Sequence, residues 1–233
     1  MVFSTKRKAF TGSALTRLLA RLADIDVPEP RHAFADRLSQ WLGWTDAISL
    51  SSVLNGSPAA APTGVRAARG SSEEGECIRL RGVLAKAIAE DAALVAEKER
   101  MDTAAGFSPY RRHYLARQQT MEVAIGPLRE RLRASLATRS PAMARLAAMD
   151  AVMEQALSAQ EHRLLATVPG LLERHFVRLR QAHPALPDEP EGKASHAPWE
   201  DVFRKNMQAV LLAELELRFE PVEGLLEALR KSS

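Results

Sequence analysis

The residue types that do chemistry are present in this chain, but they are not spaced to do it together. Helical proteins build dinuclear metal centres from two Glu-x-x-His pairs and two further glutamates pointing into one core. Here the sole Glu-x-x-His runs from Glu29 to His32 and holds Pro30, which interrupts the helix the motif needs. His113, His162 and His175 are scattered, and His183 and His196 fall in loop-like sequence. No His-Glu-x-x-His and no Cys-x-x-Cys occurs, so no metal ligand set is expected. The strand-turn-helix signature of a nucleophilic serine, Gly-x-Ser-x-Gly, is missing. Cys77 is the single cysteine, so no internal disulfide can form. It stands at the start of a predicted helix, where the backbone dipole lowers a thiol pKa, but a small residue at a helix edge is the simpler reading. Gly192-Lys193 lacks the earlier glycine and the following hydroxyl of a phosphate loop. Neither catalytic residues nor a cofactor are expected.

Side chains suited to binding are easier to find. Trp41 and Trp44 stand three apart around a predicted helix end, an arrangement that packs a core or anchors a partner. Trp199 opens the last predicted helix and is a third candidate contact. From Ser108 to Arg145 eight arginines, including Arg111, Arg112, Arg129 and Arg133, face only Glu122 and Glu130. That basic stretch could meet phosphates without reading sequence. The Lys6-Arg7-Lys8 arm followed by short helices, with Gly43 in a turn, resembles a helix-turn-helix. The would-be reading helix from Thr45 to Leu54 has no Lys or Arg and carries Asp46, which argues against base recognition.

The elements that must position these residues read as helices throughout. Ser13 can cap a helix with the stripe Leu15, Leu18, Leu19 and Leu22, which Val27-Pro28-Glu29-Pro30 stops. A second helix is predicted from about Arg31 to Trp41, and a third from Thr45 to Leu54. These three are expected to form a small unit over 1–54. Residues 55–75 are rich in Gly, Ala, Pro and Ser and read as a flexible linker.

A long-helix bundle is expected over 76–182. Its first helix should run from Glu76 to about Thr103, with Gly106-Phe107 as the turn. Ser108-Pro109 and Ser140-Pro141 repeat a helix-start signal, a capping serine followed by proline at the first helical position. Tyr110, Tyr114, Met121, Ile125, Leu128, Leu132 and Leu136 are separated by 4, 7, 4, 3, 4 and 4 residues, close to a heptad seam. Pro127 predicts a kink or break near Gly126. Val168-Pro169-Gly170 should interrupt the third long helix, whose apolar face continues to about Gln181. Short turns make these helices antiparallel neighbours, an up-down-up bundle or coiled coil. A proline-rich loop at 183–197 leads to C-terminal helices over 198–233, with Pro221 restarting a terminal turn.

Composition narrows the class further. Hydrophobic residues make up 46% of the chain but aromatics only 5%, so the core must be mainly aliphatic. Net charge is only +3, but from Ala182 to the end ten acidic residues outnumber six basic ones. Either two solvated faces differ in sign, or the acidic tail folds onto the basic middle, or each segment meets its own partner. The basic start precedes no apolar run of signal-peptide length, and no apolar stretch could cross a bilayer, so a cytoplasmic protein is expected.

Three segments resemble a proteobacterial family known only as a domain of unknown function. They are Ser13-Ala-Leu-Thr-Arg-Leu-Leu-Ala-Arg-Leu, Asp36-Arg-Leu-Ser-Gln-Trp-Leu-Gly-Trp-Thr-Asp, and Ile125-Gly-Pro-Leu-Arg-Glu-Arg through Leu165-Ala-Thr-Val-Pro-Gly. The resemblance spans nearly the whole chain. Genes of that family lie beside genes for a proton-channel-type inner-membrane protein and an OmpA-like, wall-binding membrane protein. The resemblance therefore implies a cytoplasmic accessory to an envelope complex, and it supplies no catalytic residues.

The expectation is an all-α, non-enzymatic adaptor that binds protein partners, an inner-membrane or envelope complex among them, or copies of itself. Its alternatives are a nonspecific nucleic-acid-associated protein and an enzyme whose site carries no familiar signature.

Overall fold

The structure is a computed structural model that describes residues 13–24, 34–56, 70–99, 106–183 and 198–232. The protein is all-α. Among the described residues there are eight helices, α1 (Ala14–Ala23), α2 (Phe34–Trp41), α3 (Trp44–Asn55), α4 (Gly70–Glu99), α5 (Ser108–Ala137), α6 (Pro141–Leu165), α7 (Val168–Ala182) and α8 (Pro198–Lys231), and no strand. The Lys6-Arg7-Lys8 arm, Glu29, His32, most of the expected linker, Gly192-Lys193 and His196 lie outside the described residues.

Inter-helix pairs give the direction of each long element. Glu73 and Glu76 of α4 meet Ser135 and Arg131 of α5, and Glu74 and Arg81 of α4 meet Arg230 and Glu223 of α8. In both cases one number rises as the other falls, so α4 is antiparallel to α5 and to α8. Arg129 with Glu154 and Arg133 with Asp150 make α5 and α6 antiparallel as well. Hence α5 and α8 lie side by side in the same direction, flanked by α4 and by the broken rod α6–α7.

The C-terminal helix is the spine of this arrangement rather than an appendage. Thirteen of its residues are buried, against eight in α5, and its contacts extend to α1, α4, α5 and α7. Phe203, Met207, Val210, Leu211, Leu215, Phe219 and Val222 recur at helical spacing and are all at most 1% exposed. Burying each such side chain contributes roughly 1.5–3 kcal/mol, which is what outweighs the weak helix preference of several of them. At one end Phe107, Tyr110, Phe176, Trp199 and Phe203 make a ring cluster, with Tyr110 and Phe203 edge-to-face at 4.9 Å.

Several boundaries differ from the sequence expectation. α4 begins at Gly70, inside the expected linker. Glu73, Glu74 and Glu76 there bond to Ser135, Arg230 and Arg131, so partners on other helices hold a stretch whose composition reads as loop. Ser140 caps α6 as expected, its hydroxyl accepting from the Met143 amide at 3.2 Å. Ser108 does not cap: Phe107 takes the cap position after Gly106, whose φ of +57° suits glycine, and Ser108 is already helical.

Of the kink or break expected near Gly126, the break does not occur, and neither does the restart at Pro221, because α5 and α8 run through both prolines. Pro127 is exposed and the carbonyl it orphans belongs to Val123, itself 62% exposed, so water can take the missing bond.

The three short helices expected as a unit over 1–54 each lie against longer ones: α1 packs on α7 and α8, and α2 and α3 pack on α6. Leu15 and Leu22 find a larger apolar surface on the long helices than three short helices could offer each other. Ser13 caps α1, and the Leu22 carbonyl at its other end accepts from Arg178 of α7.

Candidate functional site

Polar chemistry in the core converges on one carboxylate. Glu214 of α8 is fully buried and sits opposite Tyr114 and Gln118 of α5. The Tyr114 hydroxyl donates to Oε2 at 2.6 Å, and the Gln118 amide donates to both oxygens at 3.0 and 3.1 Å. Arg218, one turn further along α8, donates through Nε at 3.0 Å and Nη2 at 2.9 Å. Gln118 also reaches the Leu165 carbonyl at 3.3 Å, where α6 ends. A charge so deeply buried persists only when it is paired and its lone pairs are filled. Burial, and then the neighbouring Glu214 charge, push the Tyr114 phenol far above its ordinary value, so Tyr114 stays protonated and serves as a donor. The node ties α5, α6 and α8 together.

Arg218 links this node to the surface. Its Nη1 reaches Glu161 at 3.4 Å, on the edge of a half-open cleft of about 400 Å³. Ile125, Leu157, Leu164 and Leu217 form the apolar walls, and Trp41 of α2 lies at one side. Pro221 also lines it, and its missing amide leaves the Leu217 carbonyl without a helix partner there. Glu154 and Arg129 at the rim are spent on each other, and Arg129 also binds Asp150 through both carboxylate oxygens at 2.7 and 2.9 Å. Four of the cleft's polar groups, Glu154, Arg129, Glu161 and Arg218, are therefore already engaged in holding helices together.

The candidate contact residues separate sharply. Trp199 is buried, its ring 5.2 Å from Phe176, so it is a core residue. Arg129 and Arg133 are side chains only 13% and 17% exposed, both paired with Asp150 and Glu154, and their charge is neutralised within the fold. Arg111 and Arg112 are exposed on the first turn of α5. Trp41 is half-buried beside the cleft. Trp44 is 83% exposed.

Trp44 belongs to a continuous outer face of α3 made with Ala47, Ile48, Ser51, Ser52 and Asn55. Ile48 is 55% exposed on it. The opposite face, with half-buried Leu50 and Val53, lies toward α6. The one charge in α3, Asp46, accepts from the Gly43 amide at 3.0 Å and caps the helix from its inner side. The outer face is thus uncharged, with Trp44, Ala47 and Ile48 as its apolar members and Ser51, Ser52 and Asn55 as its polar ones. Its seam could be read from the spacing, but which side of so short a helix would be covered could not.

Two reactive residues are sequestered. His175 is buried, with Arg178 at 3.1 Å from Nδ1 and the Asn206 amide at 2.9 Å from Nε2. A guanidinium only donates, so Nδ1 accepts from Arg178 and the ring is neutral. Burial, reinforced by the Arg178 charge, holds its pKa below the ordinary value near 6.5. Cys77 is buried, and its thiol is pushed up to about 11, first by burial and then by Glu76 and Glu73. Among the described residues no group of three or more His, Cys, Asp or Glu side chains is placed to hold a metal. Nor is any helix there long and apolar enough to cross a membrane.

Residues 1–231 match the family model described as "Protein of unknown function (DUF3348)", and the chain belongs to that family. Comparison with curated proteins and with solved structures finds no match.

Proposed function

We propose that this protein is a non-enzymatic helical adaptor that docks protein through the outer face of α3. The observation that carries this reading is Trp44, 83% exposed at the head of an uncharged helix face. A large aromatic in that position has little to gain from water and is the residue type most often decisive in protein contacts. The bundle behind it is suited to hold the face rigidly, because α3 lies on α6 and α6 is tied to α5 by the Arg129–Asp150 pair. The polar groups that converge at the cleft support the non-enzymatic part, since Glu154, Arg129, Glu161 and Arg218 spend their bonds on structure.

The family resemblance suggests the cytoplasmic side of an envelope-associated complex as the setting. A photo-reactive phenylalanine analogue at Ile48, used in native lysate with its membrane fraction, tests the docking role. A protein-sized adduct that disappears in the Trp44→Ala background is the expected result. No adduct at this position would remove the reading. A nonspecific nucleic-acid role would rest on Arg111 and Arg112, with Arg129 and Arg133 already committed to Asp150 and Glu154.

A further inference from the structure

Trp44, Ile48, Ser51 and Asn55 follow one another at intervals of 4, 3 and 4 along α3, the spacing of a coiled-coil seam, and all four are exposed. The row is graded: its two large members are at the N-terminal end and its two small polar members at the C-terminal end. We propose that the occupant of this face is α3 of a second copy of the chain, packed antiparallel about a two-fold axis near Ser49 and Leu50. This deepens the docking reading above and rests on it.

The grading selects the occupant and its direction. In an antiparallel pair with that axis, Trp44 meets the partner's Asn55 and Ile48 meets the partner's Ser51. Every layer then joins one large and one small side chain, so the helices stay evenly spaced. A parallel pair would set tryptophan on tryptophan at one end and asparagine on asparagine at the other, wedging the helices apart. Antiparallel pairing also gives the exposed indole N–H an acceptor, the partner's Asn55 side-chain oxygen. Ala47 and Ser52 beside the row are small enough for close approach.

Charge points the same way. Two identical faces can meet only if they do not repel, and this one carries no charged side chain, Asp46 being turned inward to cap Gly43. A strongly charged partner would find nothing to pair with. One 12-residue helix from each copy is about 18 Å of contact. That falls at the small end of specific interfaces, below about 1,200 Å² of total buried surface, so the dimer forms and separates with concentration.

Sedimentation velocity on the full chain, from low to high micromolar concentration, tests this. The mass should climb from 25.6 kDa toward twice that value. Trp44→Ala should weaken association by about tenfold or more. Ser51→Trp, which sets large against large, should block it. Helical circular dichroism controls for folding in both variants.

For direction, Ile48→Cys and Ser51→Cys chains in a Cys77→Ala background are mixed with a short bis-maleimide. The mixed product should exceed either self-linked one, and dominance of self-linked products would overturn the antiparallel pairing. A chain that stays monomeric throughout overturns the self-pairing itself. If a monomeric chain still gives an Ile48 photo-adduct with another protein, the docking face stands and only its assigned occupant falls. If it gives none, both fall.

Discussion

The Tyr114 hydroxyl lies 2.6 Å from the Glu214 carboxylate, joining the two parallel central helices at a point where neither residue is exposed. With Gln118 and Arg218 it fills the lone pairs of a charge that would otherwise be too costly to bury. The asymmetry of such networks sets the first prediction. Tyr114→Phe should cost about 1–3 kcal/mol, because the carboxylate loses a donor it cannot replace from water. Glu214→Ala should cost more, about 3–5 kcal/mol, because it strands Arg218 without its main partner. Urea unfolding followed by circular dichroism measures both.

His175 makes the fold sensitive to acid. Its folded pKa lies below the unfolded value near 6.5, so between the two the unfolded chain binds more protons. Stability is therefore complete above about pH 6.5 and declines as pH falls through that value toward the folded pKa. Protonation would place a cation beside Arg178, the side chain that also holds the Leu22 carbonyl of α1. Melting temperatures from pH 8 to pH 5 should fall in the wild type and fall less in His175→Gln.

Two of the candidate contact tryptophans, Trp44 and Trp199, should differ in effect on the monomer. Trp199→Ala opens a cavity against Phe176 and should destabilise by about 3–5 kcal/mol. Trp44→Ala should change the dilute monomer by no more than about 0.5 kcal/mol. Denaturant midpoints at low protein concentration separate them.

Cys77 should be slow to react. With its thiol raised to about 11 and buried, little thiolate exists at pH 8, so an aromatic disulfide reagent should label the native chain far more slowly than the urea-unfolded one. Equal rates would mean that the α4–α8 seam around Cys77 opens readily.

Where sequence reasoning erred, it did so for one recurring reason. Pro127 and Pro221 break helices in isolation, yet α5 and α8 continue past them because packing on both sides holds the axis. The Gly-Ser-Ser-Glu-Glu stretch from Gly70 has poor helix propensity, yet α4 begins there because its glutamates meet Ser135 and Arg230. Arg129 and Arg133 look like a free basic surface, but α6 returns beside α5 and delivers Asp150 and Glu154 to them. Local preferences weigh a few tenths of a kcal/mol for most residues and about 3 kcal/mol for an interior proline, and the summed burial and pairing along each long helix outweigh them. The buried node left even less trace. Glu214 sits among leucines as any surface glutamate would, and only its heptad-like distance from Met207 and Leu211 hinted that it points inward.

Taken alone, the amino-acid order determined that the chain is helical, where the Ser140 cap falls, that a break lies close to Val168-Pro169-Gly170 (it falls at Ala166 and Thr167, with those three residues opening α7), and that Tyr110 through Leu136 share a buried seam. Those are properties of residues within a turn or two of one another, and periodicity records them. Tertiary structure alone decided that α8 is the spine, that Arg129 and Arg133 are neutralised from across the bundle, and that Trp44 is left uncovered. A stripe announces that a helix has something to bury, but which surface does the burying depends on helices far away in the chain.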